Sequence, residues 1–319
     1  MSDEIMKEEP ENELMPFQKM VRPLVRGIYQ IQKVRVAIGL RIVANWKVRN
    51  GQAPSKDEKE LDKKALDIIA KYRVEYNRIT DIVALDSEGD AIDRVKLPTK
   101  KRLEKIEGRE LISDYAILAL CHGYFELVIQ EKQQFNNLKH ALDGIPIWDQ
   151  FLSKVNGIGP AIAGVIISEI NISKCTYVSS LWKYLGLDVV EADNRGRGRY
   201  KDHLVPKTYV NKDGEVVDTA GLSHNGWAKS KIVFLGGGSL LRAKNTYYTP
   251  IYGDYKNRLK NHPKHIEKSD GHHHSMSRRY MVKRFLADLY VVWRTIEGLP
   301  VYPSYEVAKL GIIHHKKVA

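Results

Sequence analysis

The chain predicts a mainly α fold in two parts. The first is an N-terminal region of long helices forming a bundle or hairpin. The second is a C-terminal domain built on two short helices joined by a tight turn, with a small β-hairpin inserted. Three observations carry this prediction. Apolar residues recur at three- and four-residue steps through most of the N-terminal half. Phe151-Leu-Ser-Lys-Val-Asn-Gly-Ile-Gly-Pro-Ala-Ile-Ala-Gly-Val-Ile-Ile-Ser-Glu-Ile170 reads as helix, Gly-x-Gly turn, helix. Strand-like residues, Thr208-Tyr-Val210 and Glu215-Val-Val217, flank the turn signal Asn211-Lys-Asp-Gly214.

Taken in order, residues 1–16 are polar and acidic and predict a disordered tail. Val21, Leu24, Val25, Ile28, Ile31, Ile38 and Ile42 form the apolar stripe of a helix from Pro16 to about Trp46. Asn50-Gly-Gln-Ala-Pro54 breaks it, and Ser55 with Glu58 has the spacing of a capping box opening a second helix. Leu61, Ala65, Ile68, Ile69, Tyr72, Tyr76 and Ile79 continue that helix to the interruption at Asp86-Ser-Glu-Gly-Asp90. A third helical pattern runs from Lys100 to about Leu138 through Leu103, Ile106, Leu111, Tyr115, Leu118 and Phe125. Long helices with short connections predict an antiparallel helical region over 17–142, its charges forming a solvated face. Asp143-Gly-Ile-Pro146 marks the boundary to a domain spanning 146–305, and 306–319 is a basic tail. In that domain Ser179–Leu187 is a short helix ending at a glycine, Arg195–Tyr200 is flexible and basic, and Ser277–Ile296 is a final amphipathic helix.

At 319 residues there is room for two cores. Lys plus Arg outnumber Asp plus Glu by 51 to 39, a formal charge of +12 that favours a polyanionic partner. Two cysteines, Cys121 and Cys175, exclude a disulfide framework and a cysteine zinc site. No apolar run reaches the length of a membrane span, and Met1–Met15 lacks the pattern of a secretory signal, so a cytoplasmic protein is expected.

The Gly-x-Gly turn holds the chemistry. Gly157 and Gly159 allow a backbone path that a Cβ obstructs, and Pro160 suits a first helical turn. Amide N–H groups at the start of the second helix form an anion site suited to a phosphate. This is a helix-hairpin-helix pattern, which grips the nucleic-acid backbone without reading bases. Gly157, Ile158, Gly159 and Ala161 are its candidate contacts. Further candidates are basic: Arg195, Arg197 and Arg199 in a Gly-rich segment, Arg242 and Lys244 ahead of Tyr247, Tyr248, Tyr252 and Tyr255, and a stripe of Arg278, Arg279, Lys283 and Arg284 opposite the apolar side of the last helix. His262, His265 and His272–His274 cluster in a polar stretch without a completing cysteine or carboxylate, and read as a mobile loop.

Leu152–Leu187, with Gly157-Ile-Gly-Pro160, Ser168-Glu-Ile170 and Tyr184-Leu-Gly-Leu187, resembles the C-terminal domain of insertion-sequence transposases of the 110/116/902 group. Gly236-Gly-Gly-Ser-Leu-Leu-Arg242 is similar to that family's glycine turn and Leu-Arg pair. Ser277–Ile296 corresponds to its terminal arginine-bearing helix, and Pro300-Val-Tyr302 to its trailing segment. The resemblance covers about half the chain and implies DNA transposition and recombination by a multimer. It also implies an N-terminal DEDD domain holding two Mg²⁺ ions on four acidic residues, and a serine nucleophile from the C-terminal domain that forms a phosphoserine link. Ser223, in Gly221-Leu-Ser-His-Asn-Gly226, best fits the serine loop, with His224 beside it as base; Ser230 and Ser239 are the alternatives.

The sequence departs from the family at two places. Asp188–Ala220 is an insertion, and the N-terminal half has an amphipathic helix where a DEDD domain needs an aspartate on a buried strand. Ile82–Asp86 and Ala91–Leu97 are open to reading as a strand pair or as a helix end and a loop. The metal ligands are therefore unknown. The expectation is a DNA-binding transposase-family protein, with Mg²⁺ if it is catalytic. The alternative is a catalytically inactive protein, derived from a transposase C-terminal domain, that binds DNA or structured RNA.

Overall fold

The protein is mainly helical, as the sequence predicts. The structure, a computed structural model, describes residues 16–53, 59–81, 95–191, 193 and 195–303. The helices in order are α1 (Pro16–Arg49), α2 (Lys63–Ile79), α3 (Lys100–Glu104), α4 (Tyr115–Leu142), α5 (Pro146–Gln150), α6 (Pro160–Glu169) and α7 (Val178–Tyr184). Two antiparallel pairs follow, β1 (Val189–Val190) with β2 (Arg195–Gly196), and β3 (Leu204–Val210) with β4 (Val216–Leu222). Then come α8 (Gly226–Lys229), a π-helical segment (Ser230–Gly236), α9 (Gly237–Arg242), α10 (Tyr248–Lys260) and α11 (Asp270–Ile296).

Two compact units result: Pro23–Leu138, and the described residues up to Arg22 together with those from Lys139 onward. The first division falls at Pro23 inside α1, where the missing N–H deletes one helix hydrogen bond. The start of α1 therefore belongs to the C-terminal unit. There the buried Gln18 donates from Nε2 to Ile167 O at 2.9 Å and Ile170 O at 2.5 Å, satisfying carbonyls at the end of α6.

In Pro23–Leu138, α1 and α4 run antiparallel. Gln32 and Arg35 meet Glu131, Gly39 meets Tyr124, and Arg49 reaches the loop preceding α4. Arg35 and Glu131 form a half-buried pair at 2.5 Å. A Cβ on Gly39 would stand 2.8 Å from Leu61 and Tyr124, so this glycine permits the close packing. Ile42, Ile68, Ile69, Tyr72, Tyr76, Ile112, Leu118 and Phe125 build the core. The stripe of α2 is as predicted, and Asp62 caps it by accepting from Ala65 N at 2.7 Å. Ser55 and Glu58, the predicted capping box, lie outside the described residues. So does most of the possible strand pair, of which Val95–Leu97 are described and form no strand.

The single helix expected from Lys100 to Leu138 is corrected to two, α3 and α4. Gly108 between them has φ +67, a left-handed conformation. Asp114 starts a new helix by accepting from Ala116 N at 2.8 Å and Ile117 N at 3.0 Å, bonds that hold its carboxyl below the ordinary carboxylate range. The intervening loop is pinned by charge. The buried Glu75 carboxylate accepts from the amides of Glu110, Leu111 and Ile112 at 3.3, 2.9 and 2.9 Å. Arg78 donates to Glu107 O and Gly108 O, and Arg49 to Glu110 O and Leu111 O. These side chains, expected to be a solvated face, hold the backbone of the loop.

The C-terminal unit is built around α11, whose Met281, Val282, Phe285, Leu286, Leu289, Tyr290 and Trp293 are buried. Near its end the buried Arg294 donates to Ile172 O, Cys175 O and Pro300 O at 3.0, 2.9 and 2.6 Å. Helix α11 starts at Asp270, earlier than Ser277, with Ser269 as its cap. His272–His274, read from sequence as part of a mobile loop, are therefore in its first turns, with His273 buried and donating to His265 O at 2.7 Å. Among the described residues no helix is long and apolar enough to cross a membrane.

Replacing Glu75 with Ala leaves three amides of the loop without their charged acceptor. The expected loss is about 3 kcal/mol of unfolding free energy, measured by urea denaturation. An unchanged midpoint would show that water replaces the carboxylate at no cost.

Candidate nucleic-acid interface

The turn after α5 is a 3₁₀ step, Leu152–Lys154, followed by Gly157-Ile158-Gly159 leading into α6. Gly157 has φ +98, and a Cβ there would lie 2.9 Å from Leu240 Cα and 3.0 Å from Ser239 O. The turn therefore packs its backbone against that of α9. Ile158 is buried, so the middle residue plugs the core while Gly159 faces solvent. Gly159 is the N-cap of α6, and the amides of Gly159 and Ala161 take no hydrogen-bond partner among the described residues.

Two asparagines tie this turn to the end of α9. Asn156 Nδ2 donates to Ala243 O at 3.1 Å, and Asn245 Nδ2 donates to Asn156 O at 2.8 Å. The buried Asn245 also caps α10, accepting from Tyr247 N and Tyr248 N at 3.0 and 2.9 Å. Arg242 and Lys244, both exposed, flank Ala243 and so stand beside the hairpin turn. Lys244 has φ +51 directly after the C-cap of α9, a position that favours glycine or asparagine. The structure thus brings together two sets of predicted residues far apart in sequence. The asparagines that join them were not singled out from sequence; their only signal was an Asn beside each turn.

The segment resembling a glycine turn, Gly236–Arg242, is corrected to helix. Gly237 is helical at φ −61, and a Cβ on it would meet Val282 and Arg278 at 2.8 and 3.0 Å. These glycines serve close helix packing. Nor is the basic stripe of α11 an open face: Arg278, Arg279, Lys283 and Arg284 are all half-buried. The Arg278 guanidinium lies 4.7 Å from the Phe234 ring, with its Nε buried and unpartnered, and the Lys283 ammonium lies 4.6 Å from the Trp182 ring. The tyrosines divide similarly. Tyr248 is core and donates to Asp288 at 2.9 Å, Tyr252 pairs with His274 at 2.7 Å, and Tyr255 stacks on Tyr280 under Arg258.

Arg195–Tyr200, expected to be flexible, is folded around its arginines. Arg197 binds Asp188 in bidentate fashion, Nε to Oδ1 at 2.8 Å and Nη2 to Oδ2 at 2.7 Å, and its Nη1 donates to Ser223 Oγ at 2.7 Å. Ser223 Oγ in turn donates to His203 O at 2.9 Å. Gly198 N donates to His203 Nδ1, leaving the ring proton on Nε2, 3.1 Å from Asp193. Arg195 lies over the Tyr200 ring at 5.5 Å, and Arg199 is exposed. Of the alternative serines, Ser230 opens the π-helical segment and Ser239 lies within α9.

The imidazole of His224 lies against Gly186, which has φ +63 and where a Cβ would come within 2.6 Å of the ring. Its Nδ1 is buried without a partner. Burial first, then Lys229, Arg197 and Arg199, push its pKa below the usual histidine range. These surroundings favour the neutral imidazole of His224. Among the described residues no three His, Cys, Asp or Glu side chains converge as a metal site. No family model matches this chain, and no curated protein or solved structure matches it either.

Two predictions arise here. Gly157→Ala forces a Cβ into the backbone of α9 from a conformation that alanine avoids. It should cost at least about 2 kcal/mol, read from denaturant unfolding; a neutral result would show that the turn and α9 separate freely. The second concerns pH. His224 and His274 both have folded pKa values below the ordinary 6.5, through burial and nearby cations. The unfolded chain then binds more protons in acid, so their contribution is complete above pH 6.5 and is lost as pH falls toward the depressed values. Thermal melts from pH 8 to 5 should show a falling midpoint, and His224→Asn should flatten that slope. An unaltered slope in the variant would remove His224 from the account.

Proposed function

We propose that the C-terminal unit binds the sugar-phosphate backbone of DNA through the Gly157–Gly159 turn, Arg242 and Lys244. We propose further that it does so as a transposase-type domain acting in DNA transposition or recombination in the cytoplasm, as a multimer. One observation carries the binding reading. The asparagine pair Asn156 and Asn245 holds an exposed helix N-terminus with unpartnered amides beside two exposed cations. Oriented amides and flanking ammonium or guanidinium groups are the means by which proteins hold phosphates irrespective of base. The charge of +12 supplies the long-range attraction. The transposase assignment rests on the order of motifs from Gly157 to Tyr302. Structured RNA offers the same phosphate chemistry and is the competing ligand.

Retained serine chemistry is a second reading, and His224 is the observation that favours it. His224 follows Ser223 in sequence, and burial with nearby cations favours the neutral imidazole that a general base requires, while its buried Nδ1 makes no hydrogen bond to the Ser223 hydroxyl. Against it, the Ser223 hydroxyl donates to the His203 carbonyl and accepts from Arg197, a bonding pattern that also suits a purely structural serine. No metal-dependent step belongs to the proposal.

Duplex DNA affinity, measured by fluorescence anisotropy across a salt series, tests the binding reading. Arg242→Ala with Lys244→Ala should weaken binding equally for unrelated sequences and reduce the slope of log affinity against log salt by about 2. No duplex binding at low salt overturns the reading, and tighter binding of structured RNA moves it to RNA. Lys244→Gly separates function from fold. Relief of the left-handed lysine should raise stability by about 0.5–1 kcal/mol while DNA affinity falls. Covalent capture of labelled DNA with Mg²⁺ addresses the serine: an adduct lost in Ser223→Ala establishes the nucleophile, and binding without adduct leaves the binding reading alone.

A further inference from the structure

A concavity of about 620 Å³ opens at the base of the inserted hairpin, lined by Arg199, Lys207, Leu222, His224, Asn225 and Trp227. Its walls are held from below. Asn225 caps α8 through Ala228 N at 3.0 Å and donates from Nδ2 to Glu169 Oε2 at 3.0 Å and Tyr184 Oη at 2.8 Å. Lys207 is aimed by the strand pair: its aliphatic stem lies across Gly221, where a Cβ would come within 2.3 Å of Lys207 Cδ. Gly221 therefore leaves room for the lysine to lie along the strand rather than stand off it.

Positive charge around the concavity exceeds its compensation. Arg199 and Lys207 are exposed, and neither forms an ion pair among the described residues. Behind them Lys229 donates to two carbonyls, Gly186 O at 2.7 Å and Arg197 O at 3.0 Å, and no carboxylate pairs with it among the described residues. Asp188 lowers this positive field at Lys229 and His224, and Arg197 already occupies both its oxygens. Burial, Arg279 and Arg197 together push the Lys229 pKa down, as a cation crowded by cations requires. An anion is the missing partner, and the Trp227 ring lines the same concavity.

We infer that this concavity receives one unpaired nucleotide of a DNA strand, its phosphate against Arg199 and Lys207 and its base against Trp227. Aromatic rings interleaved with cations are the usual platform for unpaired bases, because every base has a flat face to stack. The inference rests on the DNA-binding reading but uses residues separate from the Gly157 turn, Arg242 and Lys244. A site of this kind directs the protein to duplex ends, nicks or melted junctions.

The test uses the whole 319-residue chain and three DNAs: a blunt duplex, the same duplex with a thymidine overhang, and the same duplex with an abasic overhang of equal phosphate number. Anisotropy at fixed salt should show the thymidine overhang bound about tenfold more tightly than the abasic one, the scale of one stacked base. Arg199→Ala with Lys207→Ala, both surface substitutions, should weaken binding of either overhang and leave blunt duplex affinity within about twofold. Trp227→Leu should abolish the thymidine preference; circular dichroism verifies that the variant is folded, and the arginine–lysine variant serves if it is not. Equal binding of thymidine and abasic overhangs, with blunt duplex still bound, overturns the pocket alone. Failure to bind any of the three at low salt overturns the DNA-binding reading.

Discussion

The C-terminal unit depends on one close approach, the backbone of Gly157 against the backbone of α9 at Leu240. Nothing larger than a hydrogen atom fits at that point, so the glycine sets how near the hairpin turn stands to α9. The amides of Asn156 and Asn245 then lock the two turns to each other, each asparagine bonding to the other's neighbourhood. With this distance set, Ile158 is pressed into the core, Gly159 is left outside, and Arg242 and Lys244 are placed next to the start of α6. Remove the approach and the exposed amides lose their basic neighbours.

The N-terminal unit uses charge for a different purpose. Glu75, Arg49, Arg78 and Arg109 all bond to main-chain groups of the loop between α3 and α4. A loop that turns at a left-handed glycine leaves its amides and carbonyls without helix partners, and buried polar groups must be satisfied. Ionised side chains are strong partners for them. Charges of this kind are part of the architecture, each bonded to the backbone of the loop.

Around Asp188 the balance is reversed. Arg197 consumes the local carboxylate of Asp188, Lys229 is crowded by Arg279 and Arg197, and Arg199 and Lys207 are exposed at the adjoining concavity. Folding concentrates cations there without neutralising them, which stabilises nothing by itself. Such a cost is understandable where a polyanion brings the compensating charge, and it distinguishes this face from the braced loop of the N-terminal unit.

How much of this was legible in the sequence follows from the range of the forces involved. Local periodicity and turn chemistry determined the helical class, the stripes of α1 and α2, the glycine end of α7, the β3–β4 hairpin and the turn between α5 and α6, because each depends on residues a few positions apart. The same local logic misread Lys100–Leu138 as one helix, since its apolar spacing runs through a break made by Gly108 and stabilised by Glu75 and Arg78 from another helix. It also placed the start of α11 too late and left the histidines in a loop. Tertiary structure alone decided which basic residues stay available. Arg278 and Lys283 are covered by aromatic rings, Arg197 is bound to Asp188, while Arg242, Lys244, Arg199 and Lys207 remain exposed. A sequence states that a side chain is charged; whether that charge is spent inside the protein depends on groups brought beside it from distant parts of the chain.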